Sequence, residues 1–247
     1  MSSSFTDPGL YDCAFLREDE EEFGFYGSFF PRGSRLFSLG SGSGSVECTL
    51  AKAFGFEFVG VDSSPQMVAK ANGLAEKLTA NAPRFEVGIL PELPKVDSPF
   101  DGAISPLLTL SYLTIEADWS SLFSKLSVAL KPGASVLLDV LLHENPLRYQ
   151  GIIERGPNHQ FEFYDVLSEQ AFFSVISTEL RYWDNPEEPV TVNAPMALVH
   201  PRRFIEWIAQ TTAFRLEAFY APHDLESACD FPPLDARRGI CLLRLAV

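Results

Sequence analysis

From Arg35 onward the chain alternates short apolar runs with stretches of helical spacing. Arg35–Leu39 (RLFSL) reads as a strand, and in Ser45–Phe54 (SVECTLAKAF) Val46, Leu50 and Ala53 share one helical face. Phe56–Val61 (FEFVGV) alternates and then runs apolar, which predicts a buried strand ending at Asp62. Ser63-Ser64-Pro65 predicts a helix start, because serine caps free amides and proline fits the first turn; the helix continues through Met67–Leu78. Arg84–Val87 and Phe100–Ser105 are further short strands. An amphipathic helix from about Asp118 to Leu130 stops at Lys131-Pro132-Gly133, before the strand Ser135–Leu142. Residues 34–142 thus alternate strand and helix, which predicts an α/β fold with a parallel, doubly wound sheet and ligands at the carboxyl ends of its strands.

From residue 143 the pattern changes. FEFYDV, FFSVIS and ELRYW, within 160–193, are rich in aromatic and β-branched residues, and they predict an antiparallel insert placed as a cap at the catalytic end of the sheet. Pro201–Thr212 returns to helical spacing, Arg215–Phe219 and Gly239–Val247 are closing strands, and 222–238 is a loop. The expected organisation of the single domain 1–247 is an N-terminal segment at 1–33, the alternating core at 34–142, the insert at 143–200 and a closing helix and strands at 201–247.

Composition narrows the chemistry. Apolar residues make up 46% of the 247, enough for a core, and the net charge of −14 repels phosphate backbones. A nucleic-acid substrate is therefore not expected. No apolar run approaches the roughly 18 residues needed to span a bilayer, so no membrane role is expected, and residues 1–9 lack the features of a signal peptide. Cys13, Cys48, Cys229 and Cys241 are scattered without metal-ligand spacing, which predicts free thiols, a cytoplasmic location and no metal site.

The stretch Ser38-Leu39-Gly40-Ser41-Gly42-Ser43-Gly44-Ser45 places three glycines between a strand and a helix. Glycine lets a ligand approach the backbone closely, and the following helix offers its free amides. Asp62, ending the next strand, can accept hydrogen bonds from a ribose diol, so the pair points to an adenosine-containing cofactor. A dinucleotide fingerprint would need a third glycine where Ser45 stands, and a Walker loop would need a lysine that is absent.

RLFSLGSGSG (35–44), FVGVDSSPQMVAKAN (58–72), PFDGAISPLLTLSYL (99–113) and LKPGASVLLDV (130–140) together resemble the class I S-adenosylmethionine-dependent methyltransferases. YDCAF (11–15) and FGFYGSFF (23–30) are similar to the N-terminal lid of the branch acting on small molecules, which includes sugar and amino-acid N-methyltransferases. The resemblance implies a Rossmann-like, mostly parallel seven-stranded sheet with the β-rich insert after the fifth strand. It also implies S-adenosyl-L-methionine as cofactor and a small-molecule substrate, with nitrogen preferred to oxygen as acceptor. Gly40, Gly42 and Gly44 would wrap the methionine part, Asp62 would hold the ribose, and Ser63 and Met67 would lie beside the adenine. Backbone groups of Gly88, Ile89 and Leu90 would meet the adenine edge, those of Ser105 and Pro106 the methionine tail, and Tyr11 would close over its carboxylate.

Two positions depart from the family's pattern. Ser38 stands where an acidic residue usually orders the loop and orients the cofactor's ammonium group, and Val87–Leu90 is apolar where an acid usually faces the adenine amine. These departures imply weaker cofactor binding, a shifted pose or a modified reaction. On the acceptor side the expected catalytic residues are His143, at a strand's carboxyl end, and Tyr164, with Tyr149 and Tyr182 lining the cap. Methyl transfer needs an aligned nucleophile and, for a hydroxyl, a base. Two alternatives keep the fold: use of the cofactor's other sulfonium carbon, by cyclisation or aminocarboxypropyl transfer, and a non-catalytic binding protein.

Overall fold

The structure, a computed structural model, describes residues 8–15, 20–95, 97–144, 151–155, 158–183, 185, 187–233 and 236–247. Tyr149 and the start of the acidic run 18–22 lie outside them. Helices α1 (Pro8–Phe15) and α2 (Glu20–Ser28) precede an alternating core. That core runs β1 (Arg35–Leu39), α3 (Ser45–Phe54), β2 (Glu57–Asp62), α4 (Pro65–Ala75), β3 (Arg84–Val87), β4 (Phe100–Ser105), α5 (Glu116–Ala129) and β5 (Leu130–Leu142). Next come β6 (Gly151–Arg155), β7 (His159–Glu169), β8 (Phe173–Tyr182) and β9 (Val190–Val199), then α6 (Pro201–Thr211), β10 (Phe214–Tyr220) and β11 (Arg238–Leu245).

All strands join one 11-stranded sheet in the order β3-β2-β1-β4-β5-β9-β8-β7-β6, with β11 paired to β5 and β10 to β11. Strands β1 to β5 are parallel, and β11 returns antiparallel beside β5. The expected Rossmann-like sheet is therefore present, and the insert extends it rather than standing as a separate layer. Past the end of β4 at Ser105↔Leu138, the β4 edge of β5 is taken up by β9, which pairs in parallel at Leu141↔Leu198 and Leu142↔Val199, while β11 holds the other edge up to Arg238↔Leu141. One boundary differs from expectation: Lys131-Pro132-Gly133 does not delay the fifth strand, which starts at Leu130, with Gly133 at φ 77° absorbing the irregularity.

Local chemistry sets the element ends. Gly44 (φ 76°) turns the chain into α3, and Ser64 Oγ accepts the Met67 N–H at 3.3 Å, with Pro65 as first helical residue of α4. Sheet alternation then divides the core. Phe37, Leu39, Val61, Val136 and Leu138 face α5 and α6, where Trp119, Phe123, Phe204 and Trp207 are buried together. Leu36, Phe58, Ile104 and Leu137 face the opposite side, against Phe25 and Tyr26 of α2 and Leu50 of α3. The fully buried Trp119 also donates its indole N–H to Leu113 O at 2.6 Å; such a side chain stabilises a core by roughly 3–5 kcal/mol over alanine.

The extension has two faces as well. Phe161, Phe163, Ile176, Leu180 and Tyr182 join Leu141 of β5 in one cluster, and α1 touches β8. Its root is fixed by His200, whose Nδ1–H donates to His143 O at 3.0 Å while Nε2 lies 2.8 Å from Ser174 Oγ. The His143 N–H donates to Val199 O at 2.9 Å, so the end of β5 is held from β9.

Candidate active site

The carboxyl ends of β1, β2 and β4 converge on the glycine loop. Gly40, Gly42 and Gly44 all have positive φ, at 74°, 52° and 76°. At Gly40 a Cβ would stand 2.0 Å from Thr109 Cγ2, so the loop after β4 presses directly on the loop after β1. Thr109 Oγ1 lies 3.3 Å from Gly40 O and 3.1 Å from Pro106 O, within donating distance of both carbonyls. Leu107 and Leu108 hold left-handed backbone (φ 54° and 59°), a conformation that costs a non-glycine residue about 1–2 kcal/mol each. The strained turn sets Thr109 against Gly40.

Asp62 fastens the other side of the loop. Its Oδ2 accepts the Gly42 N–H at 2.9 Å and its Oδ1 the Ser64 N–H at 2.9 Å, with the Ser63 N–H nearby. Burial raises the carboxyl above its usual range, and these N–H groups pull it back. Each carboxylate oxygen has acceptor capacity for a second donor, so the diol of a ribose fits there without breaking the bonds to the loop. Beside Asp62, Val87 and Ile89 are 55% and 61% exposed, an apolar shelf at the end of β3. Leu90 turns inward to the core. Met67 is buried in the first turn of α4, whereas Ser63 is exposed.

Ser105 is buried and donates to Leu39 O at 3.3 Å, so its hydroxyl ties β4 to β1. Tyr11 lies above the loop, its Cε1 being 3.9 Å from the point a Gly42 Cβ would occupy. Burial, then Tyr112, Asp62 and Asp12, push the Tyr11 hydroxyl well above its usual range, and Arg238 acts in the opposite sense. Burial, with Tyr182 adding to it, raises Tyr112 likewise. These shifts place Tyr11, Tyr112, Asp62 and Arg238 in one neighbourhood. Arg238 is itself fixed by Asp139 of β5, with Nε at 2.8 Å from Oδ1 and Nη2 at 2.5 Å from Oδ2.

Tyr164 does not join this group. It projects from the opposite face of β7, 41% exposed, and donates to Glu162 Oε2 at 2.7 Å; that carboxylate, then burial, push its hydroxyl up to about 12. Alternation along β7 turns Phe161 and Phe163 inward and Tyr164 outward. His143 stands half-buried just past β5, on the side where the extension departs.

Several residues of the site carried no motif. Asp12 accepts from Ser43 Oγ at 2.5 Å and pairs with Lys70 Nζ at 2.5 Å, joining α1 to the glycine loop and to α4. Beneath the loop, Ser38 Oγ donates to Glu47 Oε1 at 2.5 Å, and both residues are fully buried. The position of Glu47, three residues past Gly44 in the first turn of α3, was the available sign. Among the described residues, Glu47 Oε2 and Ser41 Oγ are buried without a hydrogen-bond partner. Two such atoms at a single loop suit a ligand rich in polar groups, as the adenosine cofactor is. A cavity of about 280 Å³ lined by Arg35, Glu57 and Arg84 lies at the amino ends of β1–β3, the far end of the sheet from this chemistry.

Residues 37–133 match a family model described as a methyltransferase domain. Curated proteins give no sequence match. Among solved structures, the chain is similar to the CcbJ methyltransferase from Streptomyces caelestis, at 16% identity over 99% of this chain and 98% of that one, TM-score 0.72. It is similar to S-adenosylmethionine-bound CalS10, an amino pentose methyltransferase from Micromonospora echinaspora, at 15% identity over 96% and 97%, TM-score 0.65. The sugar N-methyltransferase KedS8 from Streptoalloteichus sp ATCC 53650 gives 15% identity over 94% and 92%, TM-score 0.61. Residues 37–133 thus match a methyltransferase domain, and the chain as a whole shares the fold of S-adenosylmethionine-dependent methyltransferases.

Proposed function

We propose that the protein methylates an amine nitrogen of a small molecule held between α1 and the lid-side face of β7–β9. The observation that carries this reading is the state of the tyrosines there. Tyr11 and Tyr112, protonated near neutral pH as tyrosines ordinarily are and pushed further that way by burial, donate hydrogen bonds and present aromatic faces rather than acting as bases. Aromatic faces suit a cationic amine better than a neutral hydroxyl, and losing an ammonium proton asks less of a base than deprotonating an alcohol. The descriptions of CalS10 as an amino pentose methyltransferase and KedS8 as a sugar N-methyltransferase, both alike in fold, support the same choice.

In this reading residues 1–33 serve as lid and 143–200 as substrate cap. The bound cofactor supplies an electrophilic methyl group on a sulfonium. Gly40, Gly42 and Gly44 admit its methionine part close to the backbone, and Asp62 accepts from the ribose diol. Backbone groups of Ile89 and Leu90 meet the adenine edge, with Ser63 and Met67 on its other side, while Ser105 and Pro106 bound the methionine tail. Tyr11 closes over the loop and excludes water. His143 is assigned as the group that takes the acceptor's proton, and Tyr164 has no part in the chemistry.

The test is turnover with S-adenosyl-L-methionine and paired acceptors, amino sugars and their hydroxyl counterparts, followed by mass spectrometry. Methylated amine together with S-adenosylhomocysteine is the expected result. Methylation of the hydroxyl partner alone would overturn the acceptor choice, and methylthioadenosine formed without acceptor would overturn methyl transfer itself.

A further inference from the structure

The Ser38–Glu47 pair leaves a charge without a counterpart. Glu47 is fully buried and receives one side-chain hydrogen bond, from Ser38 Oγ to Oε1, while Oε2 has none among the described residues. No cation is paired with it there: what faces it is Ser38 from β1, the charge of Asp62 from β2, and Cys48 beside it on α3. A half-satisfied buried carboxylate is destabilising, and it persists where a ligand completes it.

We propose that Glu47 is the residue that receives the ammonium group of the cofactor's methionine end, with Ser38 holding the carboxylate in place. Taking S-adenosyl-L-methionine as the ligand, the cofactor brings two cations to the loop, and only one of them has hydrogens to give. The sulfonium has no donor, whereas the ammonium has three and meets the need of Oε2, directly or through one water. Asp62 is already occupied by the N–H groups of Gly42 and Ser64 and lies where the ribose is assigned, which leaves Glu47 as the acid for the tail. The acid that strand β1 lacks at position 38 is in this way delivered from helix α3. Ser38 keeps the position as a tether, since its hydroxyl fixes one carboxylate oxygen and orients the other.

This assignment rests on the cofactor reading, and one set of titrations separates the two. Calorimetry would compare S-adenosylhomocysteine, which carries the ammonium, with methylthioadenosine, which has the same nucleoside and no amino-acid tail. In Glu47→Gln, which keeps the shape, binding of S-adenosylhomocysteine should fall about ten- to a hundredfold, the range for a hydrogen bond to a charged group. Methylthioadenosine binding should stay within about twofold. The double change Ser38→Asp/Glu47→Ser, which moves the acid to the strand, should recover most of the lost affinity. Unchanged binding of S-adenosylhomocysteine, an equal loss for both ligands, or a folded double variant no better than Glu47→Gln would each overturn the assignment. Failure of the unaltered protein to bind either compound would remove the cofactor reading instead, and the assignment with it.

Discussion

Ser43 Oγ donates to Asp12 Oδ1 across 2.5 Å, which joins the tip of the glycine loop to helix α1. The same carboxylate pairs with Lys70 at 2.5 Å, and Lys70 also donates to Pro8 O at 2.9 Å. Helix α1 is thereby latched to α4 and to the loop at once, with Tyr11 carried over Gly42 by the neighbouring residue. These contacts tie α1 to the ligand-facing loop, so removing one should be felt in ligand binding more than in folding. Asp12→Ala is expected to weaken S-adenosylhomocysteine binding about tenfold, the lower end of the range for charge-assisted bonds. Lys70→Ala, which removes a partly exposed ion pair, should cost less than about fivefold. Calorimetry on both variants checks the ranking; equal affinities in Asp12→Ala and the unaltered protein would show that the latch does not hold the lid over the ligand.

Asp62 has two duties, and they can be separated. Its oxygens organise the loop through Gly42 and Ser64, and their remaining acceptor capacity is assigned to the ribose. Asp62→Ala should weaken cofactor binding by about 1.5–3 kcal/mol. A 2′-deoxy analogue of the cofactor tells which duty was lost. The unaltered protein should bind it more weakly than the parent compound, and Asp62→Ala should bind the two alike. A variant that still discriminated between them would remove Asp62 from the diol.

The alternation of strand, loop and helix over residues 34–142 was legible because each element is written locally, as apolar strand, small-residue turn and capped helix. Through-space relations were not. Glu47 reads as an ordinary first-turn acid until the fold brings it to Ser38, nine positions earlier and on the adjoining strand. Tyr164 shows the complementary difficulty. Alternation in FEFYDV says that Phe161 and Phe163 share a face and that Tyr164 lies on the other. Which of those faces packs against Leu141 is decided by how β9 docks on the end of β5, through two residue pairs far away in sequence. The strained Leu107–Leu108 turn gave no sign at all, since leucine has no preference for positive φ.

Gly44 offers a structural test of the loop. Its φ of 76° is strained for any L-residue with a Cβ, and that Cβ would stand 2.7 Å from Ala71 Cβ and 2.8 Å from Phe85 Cζ. Left-handed backbone costs about 1–2 kcal/mol and overpacking typically another 1–3. Gly44→Ala should therefore lower stability by about 2–5 kcal/mol, measured by urea unfolding. Gly73→Ala, in α4 with open space around the added carbon, should be neutral or slightly stabilising. Equal stability of the two variants would mean that α3 and α4 yield more readily than this close approach implies.

Glu47 makes the stability of the protein depend on pH in an unusual direction. Burial, opposed by the bonds from Ser38 and from its own backbone N–H, moves its carboxyl from an ordinary 4.5 up to about 7. Between those values the folded chain holds a proton that the unfolded chain has released, so stability declines as pH rises through the window. Above about pH 7 the full cost is present, about 3 kcal/mol for a shift of this size. Glu47→Gln removes that cost. In the absence of cofactor the variant should be more stable than the unaltered protein by up to about 3 kcal/mol at pH 8, with the advantage narrowing to about 1 kcal/mol at pH 5. Saturating S-adenosylhomocysteine should reverse the order at pH 8, because its ammonium completes the carboxylate only where one is present, and ligand binding to the folded state adds directly to stability. Urea unfolding at pH 8 and pH 5 without ligand, and at pH 8 with it, checks the two differences and the reversal. A Glu47→Gln variant less stable at pH 8 without ligand would mean that the buried acid stabilises the fold itself rather than waiting for a cation.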